Sequence, residues 1–322
     1  MHYAFIINYF ADKKRLEPAQ AEIAKLQSRL PGYVFSHVTE YPGHARELAA
    51  QYAERFGPDV LVLSCGGDGT VHEISNALVN TDTPMAVIPL GTGNDFARST
   101  LSAEHYQNPH LIVANIESCS YRRIDMMKVS VFDEKGNELP ESNRYSVNIT
   151  SFGLDTMIQA EAKRIVATHR NSRFYRKNAY TLSIISCLVK GWDYKMKYRV
   201  NLVSGETVED EISYCLACIG NGRYYGKGFN PTPEGNLDDG ILEAVIVEDM
   251  PLYKVLPLIP KYKKGTLTSH SHVRRYQMNS IRISSPDSSK PLKGNYEGED
   301  FSGATVQIDV AAGALGFAFF SI

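Results

Sequence analysis

The chain is predicted to fold as an α/β unit followed by an all-β unit, and three observations carry this. From Met1 to Asp125, short apolar runs alternate with segments of helical periodicity. Two of those runs break into glycine-rich loops. Beyond Asp125 the pattern changes to short segments in which apolar and polar residues alternate. Alternating strands and helices give a parallel sheet covered on both faces, whereas two-residue alternation punctuated by turns gives an antiparallel sandwich.

His2 to Asn8 reads as the first strand and Glu17 to Leu30 as the first helix, stopped by Pro31-Gly32. Tyr33 to Val38 is a second strand and Gly43 to Ala53 a second helix. Val60 to Ser64 is the apolar run of a buried strand, which breaks into Cys65-Gly66-Gly67-Asp68-Gly69-Thr70 before helical spacing resumes through Leu78. Thr70 is the expected N-cap, and Glu73 three residues on completes a capping box. Val87 to Leu90 is the next strand, followed by Gly91-Thr92-Gly93-Asn94-Asp95 and a helix-like Phe96 to Ser99.

A glycine loop between a strand's end and a helix's start suits an anion. Glycine lets several backbone amides converge, and the helix terminus adds its dipole. Asp68 would repel a bare phosphate there, which makes sense if a divalent cation bridges the two. No lysine follows as in a Walker A loop. The rival reading is a tight strand-to-helix connection without ligand, but two such loops side by side at one sheet edge point to a ligand site.

The pair of motifs, GGDGT and then PLGTGND, resembles the diacylglycerol kinase catalytic family, which includes sphingosine and ceramide kinases and bacterial soluble lipid kinases. NAD kinases and phosphofructokinases share the GGDGT-type loop alone. The resemblance implies a Rossmann-like domain of the NAD kinase and phosphofructokinase type, a β-sandwich, and a nucleotide cleft between them. ATP phosphates would sit on Gly66, Gly67, Asp68, Gly69 and Thr70, with Thr92 and Asn94 close to the nucleotide and Asp68 and Asp95 catalytic. Thr39, ahead of Gly43-His44-Ala45, matches the family's threonine near the nucleotide; a turn residue is the alternative. The family follows its first strand with Asn-Pro and a Ser/Gly-rich phosphate loop. Here Asn8 is present, but Tyr9-Phe10-Ala11-Asp12 replaces the rest, so either the backbone cradle is weaker at this point or Lys13, Lys14 and Arg15 supply charge instead.

The strands expected beyond the boundary are 126–132, 145–150, 194–203, 211–219, 241–247 and 280–284. By resemblance Asp125 joins Asp68 and Asp95 in a water and Mg²⁺ network, a salt bridge to a neighbouring arginine being the alternative. Thr156 to Gly191 is helical and mixes Lys163, Arg164, Arg170, Arg173, Arg176 and Lys177 with Phe174, Tyr175 and Tyr180, which suits an anionic membrane surface or a solvated face. Asn221-Gly222 through Gly226-Lys227-Gly228 resembles the family's substrate-side Asn-Gly-x-x-x-Gly-Gly loop. Asp238-Asp239-Gly240-Ile241-Leu242 resembles its Asp-Asp-Gly-x-Leu turn, where Asp239 and the carbonyls of Asn236 and Ile241 would hold a structural Mg²⁺; a metal-free hairpin is the rival. The family's Asp-Gly-Glu is Glu297-Gly298-Glu299 here, making Glu299 the general base for a lipid hydroxyl and Glu297 a departure with a longer arm. The C-terminal segment, about 306–322, would return to the first domain, giving 1–125 plus that segment and 126–305 as the two domains.

The cofactors implied are ATP and Mg²⁺, and the partner is a lipid met transiently at a membrane surface. A net charge of −2 over 322 residues argues against wholesale nucleic-acid binding. Strand-like residues from the first position leave no room for a signal peptide, and the apolar run near Tyr180 to Val189 is too short to span a bilayer, so a cytoplasmic, peripherally associated protein is expected. Cys215 and Cys218, three apart on a strand, should point to opposite faces and hold no zinc. Oligomeric state is open, a homodimer being one option.

Overall fold

A run of residues buried on both faces is what a central parallel strand requires. Ala4 to Ile7 is such a run, in the middle of β1 (His2–Ile7). The structure, a computed structural model, describes residues 1–170, 172–190, 192–267, 270–287 and 289–320; the side chains of 176 and 188–190 also lie outside the description. In it β1 runs parallel to β2 (Val34–Val38) on one side and β3 (Val60–Gly66) on the other, with β4 (Met85–Pro89) beyond β3. The pleat then sorts the helices. Ala4, Ile6, Val60 and Val62 face α2 (His44–Phe56) and α3 (Asp68–Leu78), while Phe5, Ile7, Leu61 and Leu63 face α1 (Lys13–Arg29) and α6 (His110–Ala114). Two short helices, α4 (Asp95–Thr100) and α5 (Ala103–Gln107), lead from β4 to α6. Helix α1 starts four residues ahead of the expected Glu17, because the Asp12 side chain accepts the Lys14 amide at 2.9 Å and caps it.

The sandwich side comprises β6 (Arg144–Ser146), β7 (Ile149–Gly153), α7 (Leu154–Thr168), α8 (Arg173–Lys190), β8 (Tyr194–Leu202), β9 (Thr207–Gly220), β10 (Leu242–Glu248), α9 (Leu252–Val255), α10 (Ile259–Lys264), β11 (Val273–Ser284) and the hairpin β12 (Leu292–Tyr296)–β13 (Glu299–Gly303). Its antiparallel path runs β13-β12-β7-β9-β10-β11, with β8 pairing the first half of β9 and also β11. The expected strand 145–150 is split in two around Val147 and Asn148.

The two units are joined by β5 (Cys119–Phe132) and β14 (Thr305–Phe320), which pair antiparallel from Thr305↔Phe132 to Phe320↔Cys119. One half of this ribbon buries Met127, Val129, Val306 and Ile308 in the sandwich core. The other buries Ile124, Leu315 and Phe317 in the α/β core, where Phe317 pairs with Met85 of β4. Asp125 therefore lies within a strand, opposite the register shift between Ala311 and Leu315.

Cys215 and Cys218 do not part to opposite faces. The pairing of β9 with β10 skips from Val247↔Leu216 to Glu248↔Tyr214, and this bulge turns both thiols into one apolar cluster. Burial raises both thiols, Cys215 to about 12, so they behave as core residues.

Candidate active site

Helix α3 begins at Asp68, two residues before the expected cap, with Gly67 as its N-cap. Thr70 is consequently inside the first turn, and its hydroxyl accepts the Asn8 side-chain amide at 3.0 Å. Glu73 turns to the neighbouring helix instead of its own, accepting the amides of Gly43 at 3.0 Å and Ala45 at 3.1 Å at the start of α2. The expected capping box is thus replaced by two contacts between elements, and the N-cap Gly67 provides no side-chain capping hydrogen bond to α3.

The two glycine loops touch backbone to backbone. A Cβ on Gly91 would lie 2.4 Å from the Gly67 Cα, so the residue must be glycine for the loops to close together. Asn94, in the left-handed region at φ +54, holds its own loop by accepting the Gly91 amide at 3.0 Å and donating to the Gly91 carbonyl at 2.8 Å. It shapes the loop and does not face the cleft. Beside these loops opens a cleft of about 510 Å³, lined by Asn8, Thr39, Gly66 to Thr70 and Gly91 to Gly93. Thr39 accepts the Tyr9 amide at 3.2 Å, and Asn8 accepts that of Phe10 at 2.8 Å, an Asx turn that replaces the missing glycines. Tyr9, Phe10 and Tyr41 add exposed rings to the cleft wall. The expected charge from Arg15 is absent: its guanidinium donates to the carbonyls of Pro89 and Tyr106, both at 2.6 Å.

A second cleft, about 210 Å³, adjoins the first and is lined by Asp68, Asp95 and Glu297 together with Asn295, Gly298 and Lys227. Asp68 accepts the Phe96 amide at 3.1 Å. Burial, then the charge of Asp95, and more weakly that of Glu297, push its carboxyl up to about 6. Asp95 is buried and accepts the amides of Lys227 and Gly228, both at 2.8 Å, so a loop of the sandwich is clamped to the start of α4.

The two glutamates of the β12–β13 turn have different surroundings. Glu297 sits at φ +53, its side chain only 4% exposed. One carboxylate oxygen accepts the amides of Val147 and Asn148, each at 2.7 Å, and the Ser146 hydroxyl at 3.1 Å; the other meets His72 Nδ1 at 2.6 Å. These amides are the reason the strand breaks at 147–148. Glu299 is the open one, 53% exposed, with its carboxylate 3.9 Å from His72 Nε2. Lys163 of α7 fastens the turn by donating to the Gly298 carbonyl and to Asp300, both at 2.8 Å.

Asp125 is not brought to Asp68 and Asp95. Its two carboxylate oxygens accept the amides of Gly240 and Gly313, both at 2.7 Å, and its own amide donates to the Leu237 carbonyl at 2.6 Å. It ties the 236–241 turn to the β5–β14 ribbon, and among the described residues its carboxylate forms no salt bridge. At that turn Asn236 and Asp239 are exposed, and Asp239 accepts the Ile241 amide at 3.0 Å. Among the described residues no group of three His, Cys, Asp or Glu side chains converges as a metal site.

A third space, about 70 Å³, is apolar and lies under α7, α8 and α10, lined by residues that include Leu154, Ile158, Ile184, Phe229 and Leu258. Tyr180 of α8 borders both this cavity and the carboxylate cleft. Asp155 is buried in its wall and accepts the Tyr225 hydroxyl, which lies 3.0 Å from that of Tyr262; burial pushes the Asp155 carboxyl up to about 7. Sequence reasoning missed His72, Lys227 and Asp155. The available signals were a histidine on the buried face of α3 and a lysine between two glycines.

Residues 2–129 match the diacylglycerol kinase catalytic domain, and residues 148–319 match the YegS C-terminal NAD kinase beta sandwich-like domain. The chain is 28% identical over 312 residues to a diacylglycerol kinase of Staphylococcus aureus, covering 93% of this chain and 89% of that one. It is 26% identical over 272 residues to a diacylglycerol kinase of Mycobacterium tuberculosis, covering 84% and 81%. The crystal structure of a diacylglycerol kinase from Bacillus anthracis superposes with a TM-score of 0.66 over 99% of this chain and 97% of that one, at 18% identity, a likeness of fold.

Proposed function

Because this chain belongs to the lipid kinase family that joins a diacylglycerol kinase catalytic domain to a YegS-type C-terminal domain, we propose that it transfers the γ-phosphoryl group of ATP to a hydroxyl of diacylglycerol or a related lipid. One observation carries the choice of a lipid: the carboxylate cleft shares a wall, Tyr180, with a space lined almost wholly by apolar side chains. A soluble polar acceptor would have no use for it.

ATP would lie in the larger cleft, on the paired glycine loops, with Asn8 and Thr39 beside it. A divalent cation would suit the carboxylates here: Asp68 and Asp95 line one cleft, and burial first, then the charges of Asp95 and Glu297, push the Asp68 carboxyl up, a penalty that a cation would relieve. Asp68 and Asp95 would hold Mg²⁺ there, where the ion would neutralise charge on the phosphates. A structural Mg²⁺ at the 236–241 turn would take Asp239 and the carbonyls of Asn236 and Ile241, with Asp125 supporting the turn. In the transfer itself the lipid hydroxyl oxygen bonds to the γ-phosphorus, the bond to the bridging oxygen of ADP breaks, and the hydroxyl proton passes to Glu299. Exposed Phe174 and Ile185 on α8 and Leu252, Tyr253 and Leu256 at and beyond α9, near Lys254 and Lys263, support transient docking on a membrane; no described helix is long and apolar enough to cross one.

The test is transfer of labelled γ-phosphate from Mg-ATP to a panel of lipids in mixed micelles, with NAD as the soluble control. A labelled lipid is expected, and Glu299→Gln should abolish it while ATP still binds. Label in NAD alone, or undiminished transfer by Glu299→Gln, would overturn the reading.

A further inference from the structure

Gly226, Lys227 and Gly228 follow one another at φ +57, +68 and +93. Glycine adopts this left-handed region freely, whereas a residue with a Cβ is strained there. The backbone task of the loop, presenting the amides of 227 and 228 to Asp95, needs no side chain. A lysine held in that conformation points to a role for its ammonium group.

Its location specifies the role. Lys227 lines both the glycine-loop cleft and the carboxylate cleft, and among the described residues lining either it is the one cationic side chain. The other charges there are Glu73, Asp68, Asp95 and Glu297. Arg15 is turned onto backbone carbonyls, and Arg98 is engaged by Asp95 at 3.4 Å and by the face of Tyr106 at 4.6 Å. The loop after β1, which lacks glycines, offers no substitute. Phosphoryl transfer leaves charge on the phosphate oxygens that a positioned cation stabilises, and lysine serves as a point charge for this.

We propose that Lys227 contacts the terminal phosphates of the bound nucleotide where the two clefts meet, so that the sandwich contributes the cation for a nucleotide held on the α/β domain. This rests on the lipid kinase reading for its acceptor but not for its nucleotide, and the test separates the two. Lys227→Met removes the charge and keeps the length; Lys227→Gly also removes the strain. Both are expected to lower kcat/KM for Mg-ATP about 10²–10³-fold, with Lys227→Arg retaining part of the activity, and Lys227→Gly is expected to melt no lower than the parent. In calorimetry, the affinity gap between Mg-AMP-PNP and AMP should shrink at least about tenfold in Lys227→Met. Transfer within threefold of the parent in Lys227→Met would overturn the proposal. If the parent transfers to no lipid, the lipid reading fails by itself and the calorimetry decides this one: a shrunken gap upholds it, and an unchanged gap overturns it.

Discussion

Glu297 is the residue whose removal should be felt most. It carries four hydrogen-bonded contacts on a side chain that is 4% exposed, and it ties the β12–β13 turn of the sandwich to α3 of the α/β domain. Truncation to alanine leaves the amides of Val147 and Asn148 without their acceptor and His72 without its counter-ion. Breaking a buried charged pair from one side costs about 3–5 kcal/mol. Glu297 also lines an open cleft, so water can reach part of what it leaves and the lower end of that range applies. Alanine keeps the unfavourable φ of +53, which glycine would not; Glu297→Gly should therefore be about 1 kcal/mol less damaging than Glu297→Ala. Urea unfolding followed by circular dichroism measures both.

The loss should also depend on pH. Burial alone would lower the His72 pKa, but the hydrogen bond and charge of Glu297, with the charge of Glu299, outweigh it and raise it above the ordinary 6.5. A group raised in the folded state contributes its stability in full below 6.5 and loses it as the pH climbs through the raised value. The gap between the parent and Glu297→Ala should accordingly be widest near pH 6 and narrow on the alkaline side. A gap below about 1 kcal/mol at pH 6 would refute the reasoning, showing that the β12–β13 and β12–β7 pairing holds the turn unaided.

Two further outcomes follow from the loops. Asp68 sits at about 6 against an ordinary 3.8, so its charged form is disfavoured in the folded protein, a handicap present above about pH 6 and gone as the pH falls toward 3.8. Asp68→Asn should melt higher than the parent at pH 7–8, with Mg²⁺ closing the gap by stabilising the parent, and lose its advantage near pH 4. A melting difference that is the same at every pH would contradict this. Gly91→Ala would place its Cβ 2.4 Å from the Gly67 backbone, against 3.3 Å to the Gly91 Cα for Gly67→Ala. Calorimetry should find Mg-ATP binding weakened about tenfold or more in Gly91→Ala and less in Gly67→Ala.

The glycine loops were legible because their residue types answer to local geometry: a strand end, close backbone approach, a helix start. What escaped were contacts between residues far apart in sequence. Thr70 and Glu73 have the spacing of a capping box, yet each bonds outside its own helix, Thr70 to Asn8 and Glu73 to the start of α2. The two cysteines of β9 obey strand alternation until a bulge, set by the pairing with β10, cancels it. His72 and Glu297 are 225 positions apart, and no local pattern links them.

The same long-range contacts decide which carboxylates are left to act. Asp125 has both oxygens on the amides of Gly240 and Gly313, and Asp95 has both on Lys227 and Gly228. Glu297 accepts from three groups and faces His72 with its second oxygen. In sequence all three look like chemistry; in the fold each also holds loops in place. A carboxylate that already accepts several protein donors is a weaker base than one that accepts none. Among the described residues, Asp68 accepts the backbone amides of Phe96 and Asp95 and no side-chain donor, and Glu299 meets only the 3.9 Å approach of His72. On the proposed reading, metal binding would fall first to Asp68, with Asp95 beside it, and proton abstraction to Glu299, the division of labour that Asp68→Asn and Glu299→Gln separate.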